Sequence, residues 1–255
     1  MKLKIVLSVF ITGFLVTCSQ GNKKQPSNPK AQAIVEKAIT AHGGKNYMDV
    51  KINFDFRDKS YEAIRKGKDF TYTRSFTDSV GTISDTLSNK KSLIRHVDGL
   101  AFNLSDEESK KYADSVNSVV YFALMPYNLN DPAVLKEYKG EATIKGKTYH
   151  KIFVTFKKKD GGTDYQDQFM YWINKTTNKM DYMAYNFHTE GGGTRFRVAY
   201  NPRIINGITF LDYVNYKGDD KFRPIQDMDK RFLKGELKIL SKIELKNISV
   251  KFLKS

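Results

Sequence analysis

From Val50 onward, apolar residues recur at every second position. Val50, Ile52, Phe54 and Phe56 alternate with Lys51, Asn53, Asp55 and Arg57. Side chains on a strand point alternately to opposite faces, so this is a strand with one dry face and one wet face. The same period gives strands over residues 61–65, 69–76, 81–87, 92–97 and 100–104. After Tyr138 it gives 148–156, 165–173, 180–188, 195–200, 203–205 and 208–216. Leu237, Ile239, Ser241, Ile243 and Leu245 close the series as one long strand. The links are short and polar, and Asn206-Gly207 is a type I′ hairpin signal. Parallel neighbours would need long crossovers, so the sheet is antiparallel. The expectation is a mainly β fold of about ten to thirteen strands. A sheet of that size must curl.

Two helices interrupt the strands. Asn28-Pro29 is a cap followed by proline in the first turn, and Ala31, Ile34, Val35, Ala38 and Ala41 follow at helical spacing. Gly43 and Gly44 end that helix. Ser105-Asp106-Glu107-Glu108 is a capping box. The helix it opens carries Tyr112, Val116, Val119, Val120 and Ala123 on one stripe, and Pro126 stops it near Met125. Asp131-Pro132 is expected to open a further short turn of helix, and residues 217–235 read as irregular or partly helical. A curled sheet offers a concave face, and two apolar helical stripes can cover it.

The N-terminus addresses location. Residues 1–17 read as a signal peptide, with Lys2 and Lys4 before the apolar run 5–16. The sole cysteine, Cys18, follows Leu15-Val16-Thr17 in a string that resembles a bacterial lipobox, which implies diacylglycerol on its sulfur. Thr17 departs from the usual small residue at that place. Residues 18–28 are polar and read as a lipidated flexible tether, leaving 29–255 as one domain. The expected location is the cell envelope, at the outer membrane facing the periplasm. The membrane partner is reached through the N-terminal lipid. The chain has 43 basic and 28 acidic residues, a formal net charge of +15. The basic residues are spread along its length, so they read as a solvated surface, and no nucleic-acid partner is expected.

Motifs for chemistry are few. His42, His96, His150 and His188 lie far apart, and one cysteine cannot form a zinc cluster, so no metal is expected. Gly191-Gly192-Gly193 lacks the Lys-Ser or Lys-Thr of a phosphate loop, and no cofactor is expected. His42-Gly43-Gly44 suggests an oxyanion hole, yet no Gly-x-Ser-x-Gly elbow accompanies it. Asp85, Asp167 and Asp181 sit inside strands, where a carboxylate either pairs with an arginine such as Arg74, Arg195 or Arg197 or acts as a base. No catalytic residue is assigned, and no enzyme is expected. Arg195 and Arg197 share one strand face, and if that face is concave they could hold an anionic head group. With 17 Phe and 15 Tyr, the chain has aromatic rings to spare for a cavity. The candidate lining is Phe54, Phe56, Tyr72 and Phe156, with Trp172, Met183, Tyr185 and Phe210. The alternative use of those rings is a filled core.

This arrangement resembles the LolA/LolB-like lipoprotein-carrier fold. The opening helix ends in Ala41-His42-Gly43-Gly44, and the strand 50–56 follows directly. The chain is also similar to an uncharacterised family of Bacteroidetes lipoproteins. That likeness is carried by the same Ala41-His42-Gly43-Gly44 together with Ser115-Val116-Asn117-Ser118-Val119, Leu124-Met125-Pro126-Tyr127, Tyr171-Trp172-Ile173 and Arg195-Phe196-Arg197. The resemblance implies a strongly curled antiparallel sheet, an unclosed half-barrel plugged by the two helices, with helix 106–123 as an α-helical lid. The function expected is a lipid-anchored periplasmic protein that binds or carries a lipid, or another apolar or amphiphilic ligand, in the half-barrel cavity. The alternative is a non-catalytic envelope lipoprotein with a filled core and a structural or protein-interaction role.

Overall fold

A computed structural model of the protein describes residues 28–158, 166–188, 191–219 and 224–253. The signal-peptide reading over 1–17, Cys18 and the tether up to residue 27 lie outside the described residues, as does the first residue of the strand expected over 165–173. The chain opens with α1 (Pro29–His42). Six strands follow: β1 (Val50–Phe56), β2 (Lys59–Lys66), β3 (Asp69–Asp78), β4 (Gly81–Ser88), β5 (Ile94–Val97) and β6 (Leu100–Phe102). After α2 (Asp106–Ala123) come β7 (Val134–Ile144), β8 (Lys147–Phe156), β9 (Gln168–Asn174) and β10 (Met180–Phe187). The chain continues through β11 (Gly193–Ile205), β12 (Ile208–Lys217), α3 (Met228–Leu233), β13 (Lys238–Ile243) and β14 (Leu245–Phe252).

The strands form two antiparallel sheets of seven, in the orders β14-β1-β2-β3-β4-β5-β6 and β13-β12-β11-β10-β9-β8-β7. The long closing strand expected from the sequence is where they meet. Ile243 pairs with Tyr213 of β12, and Leu245, one residue past Glu244, pairs with Phe56 of β1. One run of chain is therefore the end strand of both sheets. β6 and β7 are the opposite edges, and they do not pair with each other, so the wall stays open. The chain crosses from β6 to β7 through α2 and a 3-10 turn at Tyr127–Asn130.

Sequence chemistry explains the ends of these elements. The Asn28 side chain accepts from the backbone N–H groups of Lys30 and Ala31, at 2.9 and 3.2 Å. At α2 the capping box closes both ways. Ser105 Oγ accepts from Glu108 N at 3.3 Å, and Glu108 Oε2 accepts from Ser105 N at 2.9 Å. Asn206 and Gly207 both take positive φ, as a two-residue I′ hairpin requires.

Three expectations need correction. Residues 195–200 and 203–205 are one strand, because Pro202, which has no N–H to pair, sits where the β11–β12 register shifts between Tyr200 and Arg203. The helical turn placed at Asp131-Pro132 lies earlier, at Tyr127–Asn130, since a proline at 132 does not stop the turn ahead of it. The strands resume before Tyr138, because β7 starts at Val134, while α3 falls in the stretch 217–235 read as irregular or partly helical and buries Met228 fully.

The core falls into three clusters. Ala31, Ile34, Val35, Ala38 and Ile39 of α1 pack on Ile152, Val154, Tyr171, Ile173 and Met183, the inner face of the second sheet. Val116, Val120 and Ala123 of α2 pack on Ile52, Phe54, Tyr61, Ala63 and Tyr72, the inner face of the first. A third cluster lies on the outer face of the second sheet, where Met170, Trp172, Ala184 and Phe196 meet Ile225, Met228 and Phe232. Among the described residues, no helix is long and apolar enough to cross a membrane.

Candidate functional site

Helix α2 touches the concave faces of both sheets and divides the space between them. On one side is a cleft of about 480 Å³ against the second sheet. Val119 and Phe122 of α2 form its helical wall. Phe56, Tyr185, Leu211, Tyr213, Ile243 and Leu245 supply most of the apolar surface opposite. Arg195 and Arg197 enter it from β11, and Arg57 from beside β1. On the other side of α2 is a smaller cleft of about 300 Å³, lined by Tyr72, Tyr121, Phe156 and Arg65 among others. Both volumes are of the order of small-molecule sites, roughly 300–1,000 Å³.

The ten sequence-chosen residues separate into four groups. Phe56, Tyr185, Arg195 and Arg197 come together in the larger cleft. Tyr72 and Phe156 line the smaller one. Phe54, Met183 and Phe210 are buried in filled core, Phe54 stacked on Tyr61 with ring centres 5.3 Å apart. Trp172 is on the wrong face for the hollow. Its neighbours Tyr171 and Ile173 point inward, so by strand alternation Trp172 points outward, and there it packs edge-on against Phe196 at 5.5 Å.

The arginine face of β11 is concave. Arg197 is only 7% exposed, yet its hydrogen bond goes to a neutral group, Tyr185 Oη, at 2.7 Å. Its guanidinium carbon lies 4.2 Å from the ring centre of Phe122 and 4.9 Å from that of Tyr185. Its Nε is buried with no acceptor among the described residues. Arg195 donates to the carbonyl of Thr194 at 3.0 Å and lies 4.8 Å from the Phe187 ring. Burial pushes the Tyr213 hydroxyl pKa up despite the opposing pull of Arg197, so this wall of the cleft keeps a protonated phenol.

A second arginine cluster lies beneath the first half of α2. Asp85 of β4 is fully buried and takes both Arg74 of β3 and Arg95 of β5. Arg95 is bidentate, with Nε 2.7 Å from Oδ1 and Nη2 2.9 Å from Oδ2. Burial would raise the Asp85 pKa, but the hydrogen bonds from Arg95 and Arg74 outweigh it and hold it below the ordinary value. From this base Arg74 Nη1 donates to Ser115 Oγ at 2.8 Å, and Arg95 lies 3.8 Å from the Tyr112 ring. Both Ser115 and Tyr112 are on α2. The pairing of Asp85 with an arginine such as Arg74 is the one expected from the sequence, whereas Arg95 and the contacts to α2 were missed, although Arg95 stands in the dry phase of its strand beside Val97.

The remaining polar candidates have structural partners. Asp181 accepts from Tyr149 Oη at 3.0 Å, and Asp167 lies 3.1 Å from His188 Nδ1. His42 is buried at the end of α1, where its Nε2 accepts the Met180 N–H at 3.1 Å. Burial, with Lys179 adding to it, pushes the His42 pKa down to about 3, so the ring is neutral and acts as a fastener. Gly43 follows it at φ 150°, and a side chain there would press on the Tyr47 ring at 3.0 Å. Ala41-His42-Gly43-Gly44 is therefore a docking corner for α1.

The sequence matches the family model described as "Family of unknown function (DUF6503)" over residues 4–245. No curated protein sequence matches the chain. Among solved structures, it is similar to a LolA superfamily protein from Nitrosomonas europaea, at 14% identity and TM-score 0.49, covering 88% of this chain and 94% of the other. It is similar to a DUF1329 family protein from Desulfovibrio piger, at 11% identity and TM-score 0.44, over 86% and 92% of the two chains. It is also similar to the lipoprotein LppX of Mycobacterium tuberculosis, at 10% identity and TM-score 0.30, over 65% and 91%. At such scores the likeness carries no argument, and the fold rests on the strand pairings themselves.

Proposed function

Since the chain belongs to the DUF6503 family, whose function is unknown, we propose from its own geometry that it binds or carries an apolar or amphiphilic ligand in the cleft beside α2. The observation that carries this reading is the cleft itself. Phe56, Leu211, Ile243 and Leu245 of the seam and Val119 and Phe122 of the helix face one another across about 480 Å³ without filling it. Apolar surface left open in this way gains about 25 cal/mol for each Å² that a ligand removes from water. Phe56 and Tyr185 are the proposed aromatic contacts, and Tyr72 and Phe156 those of the smaller cleft. Phe54, Met183, Phe210 and Trp172 support the walls from within the core. Helix α2 is the proposed cover. Exchanging helix for ligand replaces one apolar contact by another, so its net cost is small. No covalent step is part of the reading.

The proposed location is the cell envelope, with Cys18 lipidated after removal of residues 1–17 and residues 18–28 as tether. Support comes from the lipobox-like string and the polar stretch behind it. Labelled palmitate fed to the producing cells should enter the wild-type chain and not a Cys18→Ala variant. Equal labelling of both would overturn the anchor.

Ligand binding is tested on the full chain, stripped of bound lipid in denaturant, refolded, and offered fatty acid, phospholipid or an acylated peptide. Native mass spectrometry should show a one-to-one adduct with at least one of them. Failure with all three would overturn the carrier reading and favour a filled, protein-facing module.

A further inference from the structure

The binding reading can be narrowed by asking how the protein treats charge on its concave face. Beneath the first half of α2, two buried arginines share one buried carboxylate, Asp85. The broad depression above them, about 790 Å³, mixes Lys59, Arg74, Arg95, Lys110 and Lys111 with Asp78, Glu107 and Asp114. Acids stand among the cations there, and Asp85 pairs with the two buried arginines. In the cleft beside Phe122 no acid stands among them. Arg57, Arg195 and Arg197 line it, and none of its lining residues is a carboxylate.

Arg197 is the decisive group. It is as buried as Arg74 and Arg95, yet no acid pairs with it among the described residues. A buried charge is unfavourable unless it is paired and its hydrogen bonds are met. Here the guanidinium face is covered by Phe122, which leaves the edge for ligands. That edge has one hydrogen bond, to Tyr185 Oη, while Nε has none. Tyr185 accepts in that bond, so its own O–H remains available to donate.

Resting on the carrier reading, we propose that the cleft takes an amphiphile with one acyl chain and one anionic head, a carboxylate or a phosphate monoester. Its oxygens receive the Arg197 edge, with Arg195 beside it and the Tyr185 hydroxyl as a further donor. The chain runs along Phe56, Leu211, Ile243 and Leu245 toward the seam. A planar guanidinium fork fits either kind of head by two-point hydrogen bonding. An uncharged head would leave the Arg197 charge as unmatched as before.

Three probes with the same sixteen-carbon chain separate the outcomes: palmitate, hexadecyl phosphate and hexadecanol. Each is titrated below its solubility or micelle limit into the stripped, refolded full chain. Palmitate or hexadecyl phosphate should bind roughly ten- to hundredfold more tightly than hexadecanol, the span of a charge-assisted hydrogen bond. Whichever of the two anions binds more tightly identifies the head. Arg197→Gln should bring the preferred anion down toward the affinity of hexadecanol, so that the ten- to hundredfold gap between the two closes. Should that variant fail to fold, the three wild-type affinities still decide. Equal binding of all three would overturn the anionic head and leave the carrier reading standing. If none bound, both would fall.

Discussion

The two helices that fill the hollow are held in different ways. Six of the fourteen residues of α1 are buried, and its end is fixed by His42 on Met180 and by a Gly43 with no room for a side chain. Only Val116, Val120 and Ala123 of the eighteen residues of α2 are buried. Beside its apolar contacts, which are mostly half-buried, α2 rests on arginines. Arg95 reaches Tyr112, Arg74 reaches Ser115, and Arg197 reaches Phe122. Apolar burial is non-directional and adds up over area, whereas these contacts are few and separable. Helix α1 is part of the wall, and α2, more lightly buried, is the proposed cover.

The largest test of that contrast is at Asp85. Converting it to asparagine leaves Arg74 and Arg95 buried with no counter-charge. Breaking such a pair from one side typically costs about 3–5 kcal/mol, a large share of a domain's ~5–15 kcal/mol. Urea unfolding of Asp85→Asn should show a loss of that order, with the α2 contacts to Tyr112 and Ser115 loosened as well. A loss under about 1 kcal/mol would mean that the arginines reach water, and the buried base of α2 would have to be redrawn.

Acid should act on the α1 side. His42 stays neutral in the fold because its pKa lies at about 3, against 6.5 for an ordinary histidine. Between those two values the unfolded chain holds a proton that the folded chain lacks. Stability therefore falls as the pH drops through this window, with a slope of up to about 1.4 kcal/mol per pH unit. Asp85 adds its own acid sensitivity only below the ordinary carboxylate range, because its pKa is lowered. His42→Gln, which keeps an acceptor for the Met180 N–H, should flatten the slope between pH 6 and 4, as read from urea midpoints. A slope unchanged by that substitution would mean that the α1 corner is wet.

Much of this was legible before the structure. Period two located most of the strands, and the Asn28 and Ser105 caps placed both plugging helices. The curled wall followed from strand number. The seam at Glu244 was not legible, because Ile243 and Leu245 keep the same phase on either side of it, and neither was the register shift opposite Leu240 that puts Leu237 on the outer face and Ile243 on the inner one. Trp172 was misplaced for a related reason. On β9 all residues from Phe169 to Asn174 are buried, so the wet phase that tells inside from outside is missing. It is missing because α3 covers the outer face, and α3 itself offers only Met228 and Phe232 as a four-residue apolar spacing. Phe122 was not among the chosen residues, since it sits beside the α2 stripe that the first sheet buries. Charge in the dry phase was legible at Arg74 and Asp85, in Tyr72-Arg74-Phe76 and Ile83-Asp85-Leu87, and could have been read at Arg95 as well. Charges there either find each other or wait for something else.

A gentler perturbation separates the two helices without touching the core. Ser105→Ala removes one half of the capping box and should cost about 1 kcal/mol. Because the cap belongs to α2, amide exchange there should quicken several-fold, while the amides of α1 keep their protection. Equal quickening in both helices would show that they open as one unit, and α2 would lose its standing as a separable cover.

The smallest expected effect is at Arg197. Methionine keeps much of the apolar stem and the contact with Phe122 while removing the charge. Unlike Asp85→Asn, this change strands no opposite charge, because no acid faces Arg197 among the described residues. It forfeits the bond to Tyr185 Oη and relieves the burial of an unmatched cation, and these terms oppose each other. The net should lie within about 1 kcal/mol of wild type in either direction. Buried arginines at similar depth on one concave surface would then differ sharply, one pair indispensable through Asp85 and the other dispensable for folding. A residue that is buried, charged and dispensable for folding is retained for what it holds. If Arg197→Met instead cost as much as Asp85→Asn, the guanidinium would be a structural tie between β11 and α2, and the cleft would have to bind its ligand by apolar contact alone.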